Sequence, residues 1–246
     1  MMQKIVNSQG EVLDYSFHSA NLPTNKDTLV LIGHGLTGDK NRELVVAVAH
    51  GLAEKGWNCV RFSYSGNGDS QGSYKDMCIS KEVSDLKALI QHFTKDYQKI
   101  IYIGHSMGAA VGALVVAEDK LGDIVAMVSL AGMVNTQVFC ETEFGNQVPD
   151  DSYMWDDANY PLTQTFVDDL TQIRTVLPAV EQVEIPWLMI HGSEDDVVLP
   201  VDSEQLYQQL KGAKKHVVIE DADHSFSEHH PQVIAAIQDF LSTQVH

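Results

Sequence analysis

The chain has 246 residues, 44% of them hydrophobic, enough to bury one large core as a single domain. Its formal net charge of -18 sets it against nucleic acid and anionic membrane surfaces, and only Arg42, Arg61 and Arg174 offer a guanidinium fork for phosphate or carboxylate. No apolar run approaches membrane-spanning length.

The opening, MMQKIVNSQGEVLDY, has no sustained apolar stretch behind its positive charge, so it does not read as a secretory signal and a cytoplasmic protein is expected. Cys59, Cys78 and Cys140 are odd in number and widely spaced, as expected of reduced thiols rather than a disulfide framework or zinc site. Two antiparallel strands are predicted around residues 3–7 and 12–18, joined by a turn at 8–10. Then come apolar runs rich in β-branched residues, TLVLIG (28–33), NCVRFSY (58–64), KIIYIG (99–104), IVAMVSLAG (124–132), IPWLMIHG (185–192) and KKHVVIE (214–220), whose continuity predicts strands buried on both faces. Helical periodicity occupies residues 42–55, 81–95, 107–119, 201–210 and 231–241. Strand and helix alternate, which predicts an α/β fold with a mostly parallel sheet covered by helices. Residues 133–182 break the rhythm with mixed aromatics, many acids, Pro149 and Pro161, and are expected to form a cap inserted into the domain.

The strongest chemical signal is Gly104-His105-Ser106-Met107-Gly108, directly after the strand KIIYIG and directly before a helical segment. A serine on such a sharp strand-to-helix turn is held in a strained backbone with its hydroxyl projecting from the sheet, over a helix N-terminus that favours developing negative charge. Ser106 is therefore the candidate nucleophile. A serine hydroxyl is weak at neutral pH and needs a base that is itself oriented by an acid. The strand at 185–192 runs into Ser193-Glu194-Asp195-Asp196, where Asp195 is chosen as the acid over its two carboxylate neighbours. The last strand leads to Asp221-Ala222-Asp223-His224, so among eleven histidines His224 takes the position that completes the order Ser, Asp, His. His229 and His230 are weaker rivals, while His34, His105 and His191 flank glycines and are read as bonding within loops.

The turn His34-Gly35-Leu36-Thr37-Gly38 after TLVLIG could aim a backbone N–H at a substrate carbonyl, so the N–H groups of Leu36 and Met107 are assigned to an oxyanion hole. Residues 66–70, Gly-Asn-Gly-Asp-Ser, lack the lysine and spacing of a phosphate loop and are read as a structural turn. In the cap, Phe139, Phe144 and Trp155, with Tyr153, Met154, Tyr160 and Phe166, are candidate apolar lining, so an uncharged acyl group is expected; the interspersed acids, should they face the entrance, would disfavour strongly anionic substrates.

Through HGLTG, RFSYSGNGDSQG, GHSMGA, HGSEDDVVLP and DADHSF in order, the sequence resembles the α/β-hydrolase family over nearly its whole length, and within it small capped carboxylesterases of the cinnamoyl or feruloyl esterase type. Leu36 stands where that type carries an aromatic residue. The resemblance implies one α/β-hydrolase domain over residues 1–246, cleavage of a carboxylic ester through an acyl-enzyme, and no cofactor or metal. The expected partner is a small-molecule ester, with no nucleic acid, no membrane insertion and, at most, a second copy of the chain as a homodimer. Thioester, amide or carbon–carbon hydrolysis on the same three residues stays open, as does a ligand-binding homologue without turnover.

Overall fold

The computed structural model describes residues 4–21, 25–119 and 122–245. Near the start, β1 (Ile5–Val6) and β2 (Val12–Leu13) pair antiparallel in a sheet of their own, across a turn in which Asn7 Oδ1 accepts the N–H groups of Gln9 and Glu11. Gln3, expected in the first strand, lies outside the described residues. The single strand expected over 12–18 is split, because β3 (Tyr15–His18) leaves β2 at Asp14 to join the main sheet. Asp14 is drawn off the ladder: its N–H donates to Ser70 Oγ at 2.8 Å and its carboxylate pairs with Lys40 at 2.8 Å. The turn at 66–70 thus anchors this crossing, with Ser70 Oγ donating in turn to the Ser63 carbonyl.

Further elements follow in the expected alternation: β4 (Thr28–Gly33), α1 (Glu43–Glu54), β5 (Asn58–Phe62), α2 (Ile79–Phe93), β6 (Lys99–His105), α3 (Met107–Glu118) and β7 (Ile124–Leu130). After an insertion come β10 (Trp187–Gly192), α7 (Val201–Gln209), β11 (Lys214–Ile219) and α8 (His230–Gln244). The main sheet has seven strands in the order β11-β10-β7-β6-β4-β5-β3, all neighbours parallel except β3 against β5. Every residue of β4 and β10 is buried, as a continuous apolar run predicts for a strand covered on both faces, whereas β11, expected to be buried in the same way, is the edge strand and is only partly covered, with Val218 exposed. One face packs against α1 and α8 through Val45, Val48, Leu52, Val233 and Ile237; the other packs against α2 and α3 through Leu86, Leu89, Ala110 and Val111. On α1 the buried positions Leu44, Val45, Val48, Ala49 and Leu52 keep helical spacing, which is why that segment coils.

The insertion between β7 and β10 contains α4 (Thr136–Phe144), the hairpin of β8 (Ser152–Tyr153) and β9 (Pro161–Leu162), α5 (Gln164–Ile173) and α6 (Leu177–Val180). It shares the core of the α2–α3 face through Phe139, Phe144, Met154, Leu162, Phe166 and Leu170. Its entry is clamped by Asp202 of α7, whose carboxylate accepts the N–H groups of Val134 and Asn135 and the side-chain amide of Asn135. Among the described residues no helix is long and apolar enough to cross a membrane.

Candidate active site

Parallel strands end at one edge of the sheet, so the turns that follow β4, β6, β10 and β11 meet there. After β6, Ser106 has φ 53 and ψ -122, a positive-φ conformation that a serine adopts only under constraint, and it forms the N-terminus of α3. The flanking glycines allow it: a Cβ on Gly104 would strike the Gly108 backbone, and one on Gly108 would strike the His34 carbonyl. Ser106 is 4% exposed and opens on a cavity of about 460 Å³. His224, following β11, lines that same cavity.

Asp195, after β10, is buried and its Oδ2 lies 2.9 Å from His224 Nδ1, with Oδ1 at 3.1 Å. Oδ1 also accepts the N–H groups of Val197 and Val198, each at 3.0 Å. Burial pushes this carboxyl up, but bonds from His191, His224 and the Val198 N–H, with the charge of His224, outweigh it and hold it well below the ordinary carboxylate range. An ionised acid on Nδ1 leaves Nε2 of His224 free to take a proton. Among the described residues Ser106 Oγ makes no hydrogen bond to that ring; both residues line the same cavity, and such contacts often close only around substrate.

The Leu36 loop lies against the serine, since a Cβ on Gly35 would come within 2.8 Å of Ser106 Cβ. His34 is 1% exposed. Its Nε2 faces the Tyr64 N–H at 3.2 Å and must accept, which puts the proton on Nδ1 to donate to the Gly35 carbonyl at 2.8 Å. Gly38 N–H donates to that carbonyl as well, at 3.0 Å. Two donors therefore pin the Gly35–Leu36 peptide by its oxygen, and the Leu36 N–H points the opposite way across a trans bond. Neither Leu36 N–H nor Met107 N–H donates a hydrogen bond among the described residues. Burial pushes His34 down to about 4, which keeps this tautomer neutral at physiological pH.

Of the expected lining residues, Phe139 and Trp155 border the cavity and Phe144 does not. Phe144 is 3% exposed and packs behind that wall, its ring 5.1 Å from Trp155, 6.0 Å from Phe139 and 6.2 Å from Phe166. Acids of the 133–182 insertion do not line the cavity; Glu143 accepts the Trp155 indole N–H at 2.8 Å. Charged groups on the cavity wall are Arg42, whose guanidinium donates to the Thr37 carbonyl at 2.8 Å, and Glu43. His34, His105 and His191, expected to bond within loops, are all hydrogen-bonded to backbone or side chains of the site, a relation that flanking glycines hint at without identifying the partners.

A family described as alpha/beta hydrolase fold matches residues 28–176, and one described as PhoPQ-activated pathogenicity-related protein matches residues 114–246. The chain is 24% identical over 216 residues to the uncharacterized protein YfhR of Escherichia coli O157:H7, covering 85% of this chain and 68% of that one. It is 24% identical over 205 residues to the human mitochondrial palmitoyl-protein thioesterase ABHD10, covering 76% of this chain and 64% of the thioesterase. Among solved structures, Est1E of Butyrivibrio proteoclasticus with ferulic acid bound superposes with a TM-score of 0.88 at 25% identity, covering 99% of both chains.

Proposed function

Because the chain belongs to the alpha/beta hydrolase fold family, we propose that it is a serine esterase, with Ser106 as nucleophile, His224 as general base and Asp195 as the acid that orients it. The observation that carries this reading is the Asp195–His224 pair, bonded at 2.9 Å and opening onto the cavity where Ser106 sits in its strained turn. In the proposed reaction Ser106 Oγ bonds to the ester carbonyl carbon while its proton passes to His224 Nε2. The negative oxygen that results is met by the N–H groups of Leu36 and Met107, donors that matter most where charge appears only in the intermediate. Its collapse breaks the bond to the alcohol, which leaves with the His224 proton, and the acyl-enzyme is hydrolysed by water that His224 deprotonates in turn.

Residues 133–182 act in this proposal as a cap, with Phe139 and Trp155 against Leu36 and Leu44 forming an apolar wall for an uncharged acyl group. Three buried, unpaired thiols support a reducing, cytoplasmic setting. Thioester hydrolysis is a second reading, favoured by the likeness to the palmitoyl-protein thioesterase. Fluorophosphonate treatment followed by peptide mass mapping tests the nucleophile: the label is expected on Ser106, and an unlabelled Ser106 in folded protein refutes the assignment. Rates on p-nitrophenyl esters of graded acyl length, methyl ferulate and an acyl thioester separate the two reactions; esters are expected to be preferred, and a dominant thioesterase rate would replace the first reading by the second.

A further inference from the structure

His191, the penultimate residue of β10, is fully buried, does not line the cavity, and lies against the carboxylate of Asp195. Its Nε2 is 2.7 Å from the Val198 carbonyl and 3.1 Å from Asp195 Oδ2. A carbonyl can only accept, so the proton is on Nε2, aimed at Val198 with the carboxylate oxygen beside it. Nδ1 is then an acceptor, and at 2.7 Å it takes the hydroxyl proton of Ser203, a buried residue of α7. Both ring nitrogens are committed, so the imidazole cannot turn. Meanwhile Val198 closes the turn from both ends of its own residue, its N–H on Asp195 Oδ1 and its carbonyl on His191.

We infer that His191, locked by Ser203, is a positioning residue for Asp195: it holds the Asp195–Val198 turn and shares the Oδ2 charge, limiting how strongly the carboxylate pulls on the His224 proton. This rests on the reading of Asp195 as the acid of the hydrolase. The chemistry follows from one oxygen serving two imidazoles. Without the His191 N–H, all of the Oδ2 charge falls on His224, the imidazolium is favoured, and the base stays protonated to higher pH. Other titratable groups near His224 are His105 and Asp223, with Arg42, Glu43 and His230 around the cavity; His191 itself faces His216 of β11. All of these are unchanged in the test.

The experiment measures kcat/KM against pH from 4 to 9 on p-nitrophenyl butyrate for His191→Phe, His191→Gln and Ser203→Ala. His191→Phe keeps the volume and removes the donor; its acid limb is expected to rise by about half a pH unit, with kcat down about ten-fold. His191→Gln restores an N–H toward Val198 and an oxygen toward Ser203, and is expected to return the limb to its native place with most of kcat. Ser203→Ala unlocks the ring and is expected to shift the limb the same way by less. A native limb in folded His191→Phe overturns the inference; should that variant not fold, a native limb in Ser203→Ala overturns it. Asp195→Asn keeps the two failures apart, since an Asp195→Asn protein with native turnover removes the parent reading, whereas an inactive one beside an unshifted His191→Phe removes only this inference.

Discussion

His105 and His224 meet through ring and backbone: their centroids are 4.9 Å apart, and His105 Nε2–H donates to the His224 carbonyl at 2.9 Å. The side chain just before the candidate nucleophile thus grips the loop of the candidate base, across the sheet edge where both strands end. Burial, and then the charge of His224, push His105 down to about 3, so the ring stays a neutral donor through the physiological range. Replacing it with Phe fills the space and cuts the tie; kcat/KM is expected to fall about ten- to a hundred-fold with the fold retained. His105→Gln, which keeps an N–H, should recover most of that. Equal rates for native enzyme and the Phe variant would show that the loop needs no such anchor.

Asp195→Asn should lower kcat by about four orders of magnitude, and Ser106→Ala by about six, by analogy with known triads. The hydrogen bonds say why the first is not benign. Val197 and Val198 N–H groups demand an acceptor at Oδ1, so the amide oxygen must stay there and the new NH₂ must face His224 Nδ1 and the His191 N–H. His224 is then driven to carry its proton on Nε2, where it can no longer act as base. Steady-state rates on a short p-nitrophenyl ester check both values, and a turnover near native in either variant contradicts the assignment.

Trp155 and Phe144 touch each other yet should fail differently. Trp155 is 45% exposed and borders the cavity, so Trp155→Ala is expected to raise KM for aromatic or long-chain esters with a small effect on stability. Phe144 is buried among three aromatic rings, so Phe144→Ala opens a cavity costing about 3–5 kcal/mol. Urea unfolding and Michaelis kinetics on both variants separate substrate contact from core packing; a KM change confined to Phe144→Ala would reverse the assignment of the wall.

The centre of the main sheet was legible because β4, β6, β7 and β10 are continuous apolar runs, and the site was partly legible because a parallel sheet gathers the turns after its strands at one edge. Order alone therefore points to Ser106, to the carboxylates at 194–196 and to His224, and it is the bond between Asp195 and His224 Nδ1 that picks one acid out of three. What order does not contain is which loop group meets which: His105 bonds a carbonyl 119 positions away, and His191 is fixed by the Val198 carbonyl and by the Ser203 hydroxyl of the following helix. Asp14 broke the expected strand over 12–18 for the same reason, since its partners, Lys40 and Ser70, belong to other turns. Phe139 and Phe144 are both aromatic and both on α4, and only the packing of that helix decides which meets the cavity.

Stability should fall toward both acid and alkali, through two buried groups of opposite habit. His34 is held neutral by burial, its value pushed from 6.5 down to about 4. A depressed value means that the folded state resists the proton which the unfolded chain accepts, so its contribution is complete above pH 6.5 and is lost as pH falls toward 4, by up to about 1.4 kcal/mol per pH unit. Protonation would also set an Nε2–H against the Tyr64 N–H and loosen the Leu36 loop. Glu82 on α2 behaves in the reverse sense. It is 1% exposed, its Oε2 has no hydrogen-bond partner among the described residues, and burial, then the charges of Asp85 and Asp169, raise its value well above 4.5. A raised carboxyl stabilises the fold when protonated, so its contribution is complete below pH 4.5 and declines as pH rises toward the folded value, with the same limiting slope. Glu82→Gln keeps the shape without the ionisation, and is expected to raise the free energy of unfolding at pH 8 while leaving it nearly unchanged at pH 5. Guanidinium titrations at the two pH values measure this directly; an equal change at both would mean that Glu82 is ionised in the folded state and that its burial is compensated by a partner.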